Sequence, residues 1–218
     1  MSSKGDFLTN ANLADMLGVT RRRLIALAKR LNEFSDPLAE PPDPFTNGQS
    51  NGGGMYEKIV DAASGIMASD FASLQMLFPE RGTAGELRLL SFRGFNPEAA
   101  RFWEWVRADS KSTCGLALLT GERAIAPEIA RCEFMADSED QLTYLQTGIH
   151  ACQTTPLIAR TGQLVGMIST HWRTPHLPSE RDLRLFDILA RQTADLIDRC
   201  RSESFTYRSS SRLRRRTG

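Results

Sequence analysis

The chain has 218 residues, 41% hydrophobic and 24% charged, with a formal net charge of +1. That length suits one domain of roughly 150 residues plus added segments, and the composition is that of a globular protein with an ordinary core. No run of about 18 apolar residues is present, so no helical membrane span is expected. The opening Met1-Ser2-Ser3-Lys4-Gly5 lacks the apolar stretch of a signal peptide, which makes a cytoplasmic address the expectation.

Residues 1–36 read as a helical segment. From Asn12 to Leu27, Ala14 can sit where two helices approach closely and Gly18 permits a turn, while Leu13, Leu17, Val19, Leu24 and Leu27 take packing positions. The spacing resembles a helix-turn-helix, in which Arg21, Arg22 and Arg23 would open the recognition helix and meet phosphates and base edges. Two features oppose nucleic-acid binding here. Six basic and six acidic residues cancel across 1–54, and a helical pair of roughly 35 residues has little core of its own. A helical arm joining a neighbouring dimer is the other reading.

Residues 37–54 hold Pro37, Pro41, Pro42 and Pro44, then Gly48, Gly52, Gly53 and Gly54. Prolines remove backbone donors and glycines are entropically loose, so this stretch reads as a linker.

The main domain is expected over 55–200, with 15 basic and 19 acidic side chains; it is no obvious polyanion binder. Tyr56 to Ala68 is predicted as a helix with Ile59, Val60, Ala63, Ile66 and Met67 on one stripe. Phe71 to Phe78 alternates as a strand, and Glu86 to Arg93 follows as a second. Asn96-Pro97-Glu98 marks a helix start, with a cap residue, proline at the first position and an acid in the first turn. That helix is expected to carry Phe102, Trp103, Trp105 and Val106.

A short helix, Thr113 to Thr120, closes at Gly121, and Arg123 to Ile125 is a brief strand stopped by Pro127. Ser138 and Gln141 have capping-box spacing for a helix ending at Gly148. Strands Ala151 to Ala159 and Leu164 to Trp172 flank a tight turn, and a long helix runs from Ser179 to Cys200. Residues 201–218 carry six Arg against one Glu and are expected to be a disordered basic tail. Short turns within both strand pairs predict antiparallel pairing with helices on the faces, an α+β architecture.

Several stretches carry a family resemblance: Ile66 to Leu77, Leu87 to Phe95, Cys114-Gly115-Leu116-Ala117, Thr120-Gly121-Glu122-Arg123, Thr154-Thr155-Pro156-Leu157, and Gly162 to His171. Together they resemble the GAF domain, a PAS-related sensor module common in bacterial signalling. The resemblance implies a central antiparallel sheet, a pocket between the sheet and one helical face, and dimerisation through terminal helices. It does not name a ligand or cofactor. The Asn-Lys-x-Phe-Asp-Glu signature of cyclic-nucleotide-binding members is absent, and the match of Leu164 to His171 to the phytochrome strand comes without a chromophore cysteine in a matching context.

The candidate ligand-contacting residues are Phe92, Trp103, Cys114, Thr154 and His171. Each also has a plainer reading: aromatic residues at helical spacing are usually core, and unpaired cysteines are usually small buried hydrophobes. Cys114-Gly115 matches one element of the free methionine sulfoxide reductases, whose other signatures are missing, and His150-x-Cys152 lacks a second pair at zinc spacing. No Ser-His-Asp set, phosphate-binding GxxxxGK[ST] loop or HExxH occurs. Leu183, Phe186, Ala190 and Ile197 alternate by three and four, a coiled-coil-like seam that predicts a homodimer through the last helix.

The leading expectation is a noncatalytic sensor that binds a small molecule or a protein, reported to a histidine kinase or response-regulator partner. A one-component DNA-binding regulator and a thiol reductase are the alternatives.

Overall fold

The structure, a computed structural model, describes residues 54–214, with side chains described as far as Arg201. The helix-turn-helix-like segment with Arg21, Arg22 and Arg23, and the linker ahead of Gly54, lie outside the described residues. Helix α1 (Met55–Met67) buries Ile59, Val60, Ala63 and Met67 along the predicted stripe. Ala68 closes it in the left-handed region.

Strands β1 (Phe71–Phe78) and β2 (Glu86–Arg93) have the predicted bounds and pair antiparallel. Asn96 caps α2 (Pro97–Phe102), its side chain accepting from the Ala99 N–H at 2.8 Å. Here the expectation needs correction. The helix stops at Phe102, and Trp105 and Val106 belong to β3 (Trp105–Arg107), which pairs with β2. Three residues cannot display a period of their own, so pairing with a distant strand decides their state.

Helix α3 (Thr113–Thr120) starts at a Ser112 cap and ends at Gly121, as predicted. It is followed by β4 (Ala124–Ala126) and two 3₁₀ turns. In α4 (Glu139–Gln146), Ser138 Oγ accepts from the Gln141 N–H. The Gln141 side chain spans instead from the Asp137 N–H to the Ile129 carbonyl. Strands β5 (Ala151–Ile158) and β6 (Leu164–Trp172) complete a six-stranded antiparallel sheet of order β3-β2-β1-β6-β5-β4. The α+β expectation holds.

The last helix, α5 (Glu180–Arg214), does not end at Cys200 but continues through residues 201–214, against the expectation of disorder there. Between 180 and 214 there is no glycine or proline, so nothing in the backbone chemistry stops the helix.

The sheet has two differently dressed faces. On one, α1 and α5 pack side by side across β1, β6 and β5. Phe186, Ala190 and Ile197 are buried there, so these three seam positions are used within the chain itself. On the other face, α2, α3 and α4 lie over side chains of the opposite parity: Phe71 and Leu77 of β1, Met167 of β6 and Cys152 of β5. Alternation puts Ser73, Gln75, Thr154, Ser169 and His171 on this second face too.

Candidate functional site

The second face is apolar at its ends and polar in its middle. Register places Cys152, His171 and Phe71 in one cross-strand row, and Thr154, Ser169 and Ser73 in the next. Cys114, in the first turn of α3, lies over these rows, 3.3 Å from Ser169 Oγ and 3.5 Å from Thr154 Oγ1. Thr154 donates to Thr113 Oγ1 at 2.9 Å, and Thr113 lies 3.5 Å from Cys152 Sγ. A connected patch of hydroxyls and thiols thus sits under α3, with its polar atoms mutually satisfied.

Glycine is what lets the segment ahead of α3 fold back against the helix's first turn. A Cβ on Gly115 would fall 2.2 Å from the Ser110 carbonyl oxygen, inside contact distance.

Aromatic rings wall the site. Phe95, just after Gly94, has its ring centroid 5.7 Å from Phe92, 5.4 Å from Trp103 and 5.4 Å from His171. Trp103 packs on Tyr144 at 4.4 Å, and Tyr144 lies 5.9 Å from His171. Gly94 has φ of +83°, and a Cβ there would meet Phe71 at 2.7 Å. A left-handed glycine is therefore what lets the loop fold down over β1.

Asp140, in the first turn of α4, holds the wall together. It accepts from Trp103 Nε1 at 3.1 Å and from Ser110 Oγ at 3.0 Å. Among the described residues no ion pair to Asp140 is formed.

Burial sets the electrostatics. It pushes the Cys152 and Cys114 thiols up, with hydrogen bonds from Thr113 and from Ser169 and Thr154 opposing it in part. Burial likewise holds the Tyr144 phenol well above its usual range. His171 is moved the other way, down to about 3, because burial disfavours the imidazolium. It is 2% exposed, and among the described residues neither Nδ1 nor Nε2 has a hydrogen-bond partner. Near neutral pH the patch is polar, with uncharged thiols, phenol and imidazole.

All five sequence-predicted residues lie on this face. Phe92, Trp103 and His171 are linked through Phe95, and Cys114 touches Thr154. Phe95, Asp140, Tyr144 and Ser169 escaped the sequence reading. The only signal for Asp140 was its place in a helix first turn, which explains an acid there without any site.

An open groove of about 730 Å³ lies elsewhere, between α5 and the outer part of β5, lined by Thr155, Pro156, Ile158, Ile188 and Asp195 among others. Its carboxylates are engaged, Asp195 by Arg160 and Asp187 by Arg123. Among the described residues, Gln192 of this groove has one buried atom without a partner, Oε1, whereas His171 on the second face has both ring nitrogens without one.

A GAF-domain family profile matches residues 53–198. The chain belongs to the GAF domain family. Among curated proteins compared by sequence, none matches. Solved structures do. A domain described as part of a two-component sensor histidine kinase protein from Sinorhizobium meliloti is 25% identical, over 75% of this chain and 99% of that one, with a TM-score of 0.56. The GAF domain of an Acinetobacter phosphoenolpyruvate-protein phosphotransferase is 16% identical over 86% and 96%, TM-score 0.61. Free methionine-R-sulfoxide reductase from Neisseria meningitidis, in complex with its substrate, is 11% identical over 95% and 97%, TM-score 0.57. The last two show the fold alone. This GAF chain places the connected thiol and hydroxyl patch, with His171 beside it, between the sheet and α2 to α4.

Proposed function

We propose that this GAF domain is a noncatalytic sensor that takes a small molecule on the His171 face and reports occupancy through α1 and α5 on the other. His171 carries the reading. A buried donor and a buried acceptor without partners cost free energy that the fold alone has no reason to spend, and a ligand would recover it. The signalling half rests on thickness: β6 is one strand deep, with Ser169 and His171 on the ligand side and Ile168 and Thr170 on the helix side. A shift of β6 on binding therefore alters the packing under α5, and the ligand selects one arrangement of the helix.

Helix α5 has 35 residues, about 52 Å at 1.5 Å per residue, long enough to reach past the domain to a second copy or to a kinase or response regulator. A thiol reductase is less well supported. The attacking species would be a thiolate, and burial pushes both Cys114 and Cys152 away from that form.

The test is a thermal-shift screen of the full chain against a broad metabolite set, repeated with His171→Phe. A stabilising compound whose effect is lost in the variant supports the reading. No stabilisation by any compound, or stabilisation untouched by the substitution, overturns it.

A further inference from the structure

Phe95 identifies the kind of molecule the site takes. Its ring is held by a three-residue loop rather than by a helix or strand, it is only half buried, and it touches Phe71, Phe92, Trp103 and His171 at once. A phenyl ring fills this seat in shape but offers nothing to the imbalance beneath it, since both His171 nitrogens stay unpartnered. A ring of the same outline with a hydrogen-bonding edge would satisfy the imidazole and keep the stacking.

Charge narrows the class. Among the described residues, the carboxylate of the site, Asp140, accepts from the neutral side-chain donors Trp103 and Ser110. Among the described residues no basic side chain forms a hydrogen bond or ion pair with Asp140, His171, Cys114 or Thr154. Arg173 lies over the Phe71 ring, 4.6 Å from its centroid, and is exposed to solvent. A phosphate or carboxylate in the interior would be desolvated beside an acid with no cation to pair it. A cation in the seat of Phe95 would find the Trp103 ring that Phe95 now covers, with Asp140 bonded to the same indole.

We infer that the site binds a planar nitrogen heteroaromatic or aromatic amine without an anionic group, which displaces the Phe95 ring and hydrogen-bonds His171. This rests on the ligand-sensor reading of the same face.

The experiment uses three probes that share one ring: indole (neutral), tryptamine (cationic) and indole-3-acetate (anionic). Each is titrated calorimetrically into the full chain, while the imidazole nitrogen resonances of His171 are followed, assigned by their loss in His171→Phe. Indole and tryptamine are expected to bind and move those resonances, with indole-3-acetate about tenfold weaker or worse because of the buried like charge. Phe95→Ala, which removes the resident ring from a loop, is expected to tighten indole by about tenfold. His171→Phe is expected to weaken indole by about tenfold through the lost hydrogen bond, with no loss of thermal stability.

If indole-3-acetate binds as tightly as tryptamine and moves His171, the charge argument is overturned while the site survives. If no probe binds but an anionic compound from the metabolite screen moves the same resonances, the ligand class is wrong and the sensor reading stands. If nothing moves them, in the native chain or in Phe95→Ala, both fail.

Discussion

Trp103 Nε1 donates a hydrogen bond to Asp140 Oδ1 at 3.1 Å, across 37 residues of chain, and so ties the end of α2 to the first turn of α4. Ser110 bonds the other carboxylate oxygen and approaches Ser112, the cap of α3. One side chain thus positions all three helices that cover the site.

Removing that acceptor should be expensive. Asp140→Ala leaves the Trp103 N–H and the Ser110 hydroxyl without their partner, and each buried orphan costs roughly 1–3 kcal/mol. We expect a loss of about 2–4 kcal/mol in unfolding free energy, measured by urea titration. Asp140→Asn keeps one carbonyl acceptor and should lose less than half as much.

The state of His171 makes stability depend on pH. Burial takes its folded-state value down to about 3 from the ordinary 6.5. As pH falls, the unfolded chain binds the proton first. The contribution of this residue is therefore fully present above about 6.5 and is lost at about 1.4 kcal/mol per pH unit from there down towards about 3. Urea titrations at pH 7 and pH 5 measure the slope. In His171→Phe the average slope between these pH values should be shallower by about 0.7 proton, and an unchanged slope would show that His171 is not the group responsible.

Thiol chemistry should follow burial. Cys114 and Cys152 are buried and Cys132 and Cys200 only partly so, and the thiolate is the reactive form. Under native conditions iodoacetamide is expected to label Cys132 and Cys200 first. Cys114 and Cys152 should react only as fast as the domain opens, which peptide mass spectrometry at timed quenches will resolve. Rapid labelling of Cys114 in the folded chain would revive the reductase reading.

On the helix side, Arg123, just ahead of β4, bridges α5 and β5. It pairs with Asp187 of α5, and its Nε donates to Thr155 Oγ1 of β5 at 2.9 Å. Thr155 passes the chain on to Gln153, and Gln153 to Thr170 of β6. The pair is partly exposed, with side chains 23% and 39% accessible, so Arg123→Ala should cost only about 1 kcal/mol. Its larger effect should be local: faster amide exchange in the first turns of α5, read by hydrogen–deuterium exchange.

Much of the architecture was legible because it is written locally. The alternation of Phe71 to Phe78, the Asn96-Pro97 start and Gly121 after α3 each act within a few residues, and each element appears with the bounds or cap they imply. The errors came where local signals were silent or shared. Trp105 and Val106 continue an apolar run out of α2, and only pairing with Leu87 and Arg88 makes them a strand. The three- and four-residue spacing in α5 is a shared signal, fitting a dimer seam and a helix lying on its own sheet alike; burial of Phe186, Ala190 and Ile197 within the chain shows the second use and does not bear on the first.

The amino-acid sequence by itself determined the type of the longer elements, the antiparallel α+β class and the family, since periodicity, caps and turn residues depend on neighbours along the chain. Tertiary structure alone decided that Phe95, Asp140 and Tyr144 join Trp103 and His171 around one site, and that His171 is left without a partner. Periodicity states which side of an element is buried. It does not state which other element buries it, and a hydrogen bond withheld can be seen only once every neighbour is in place.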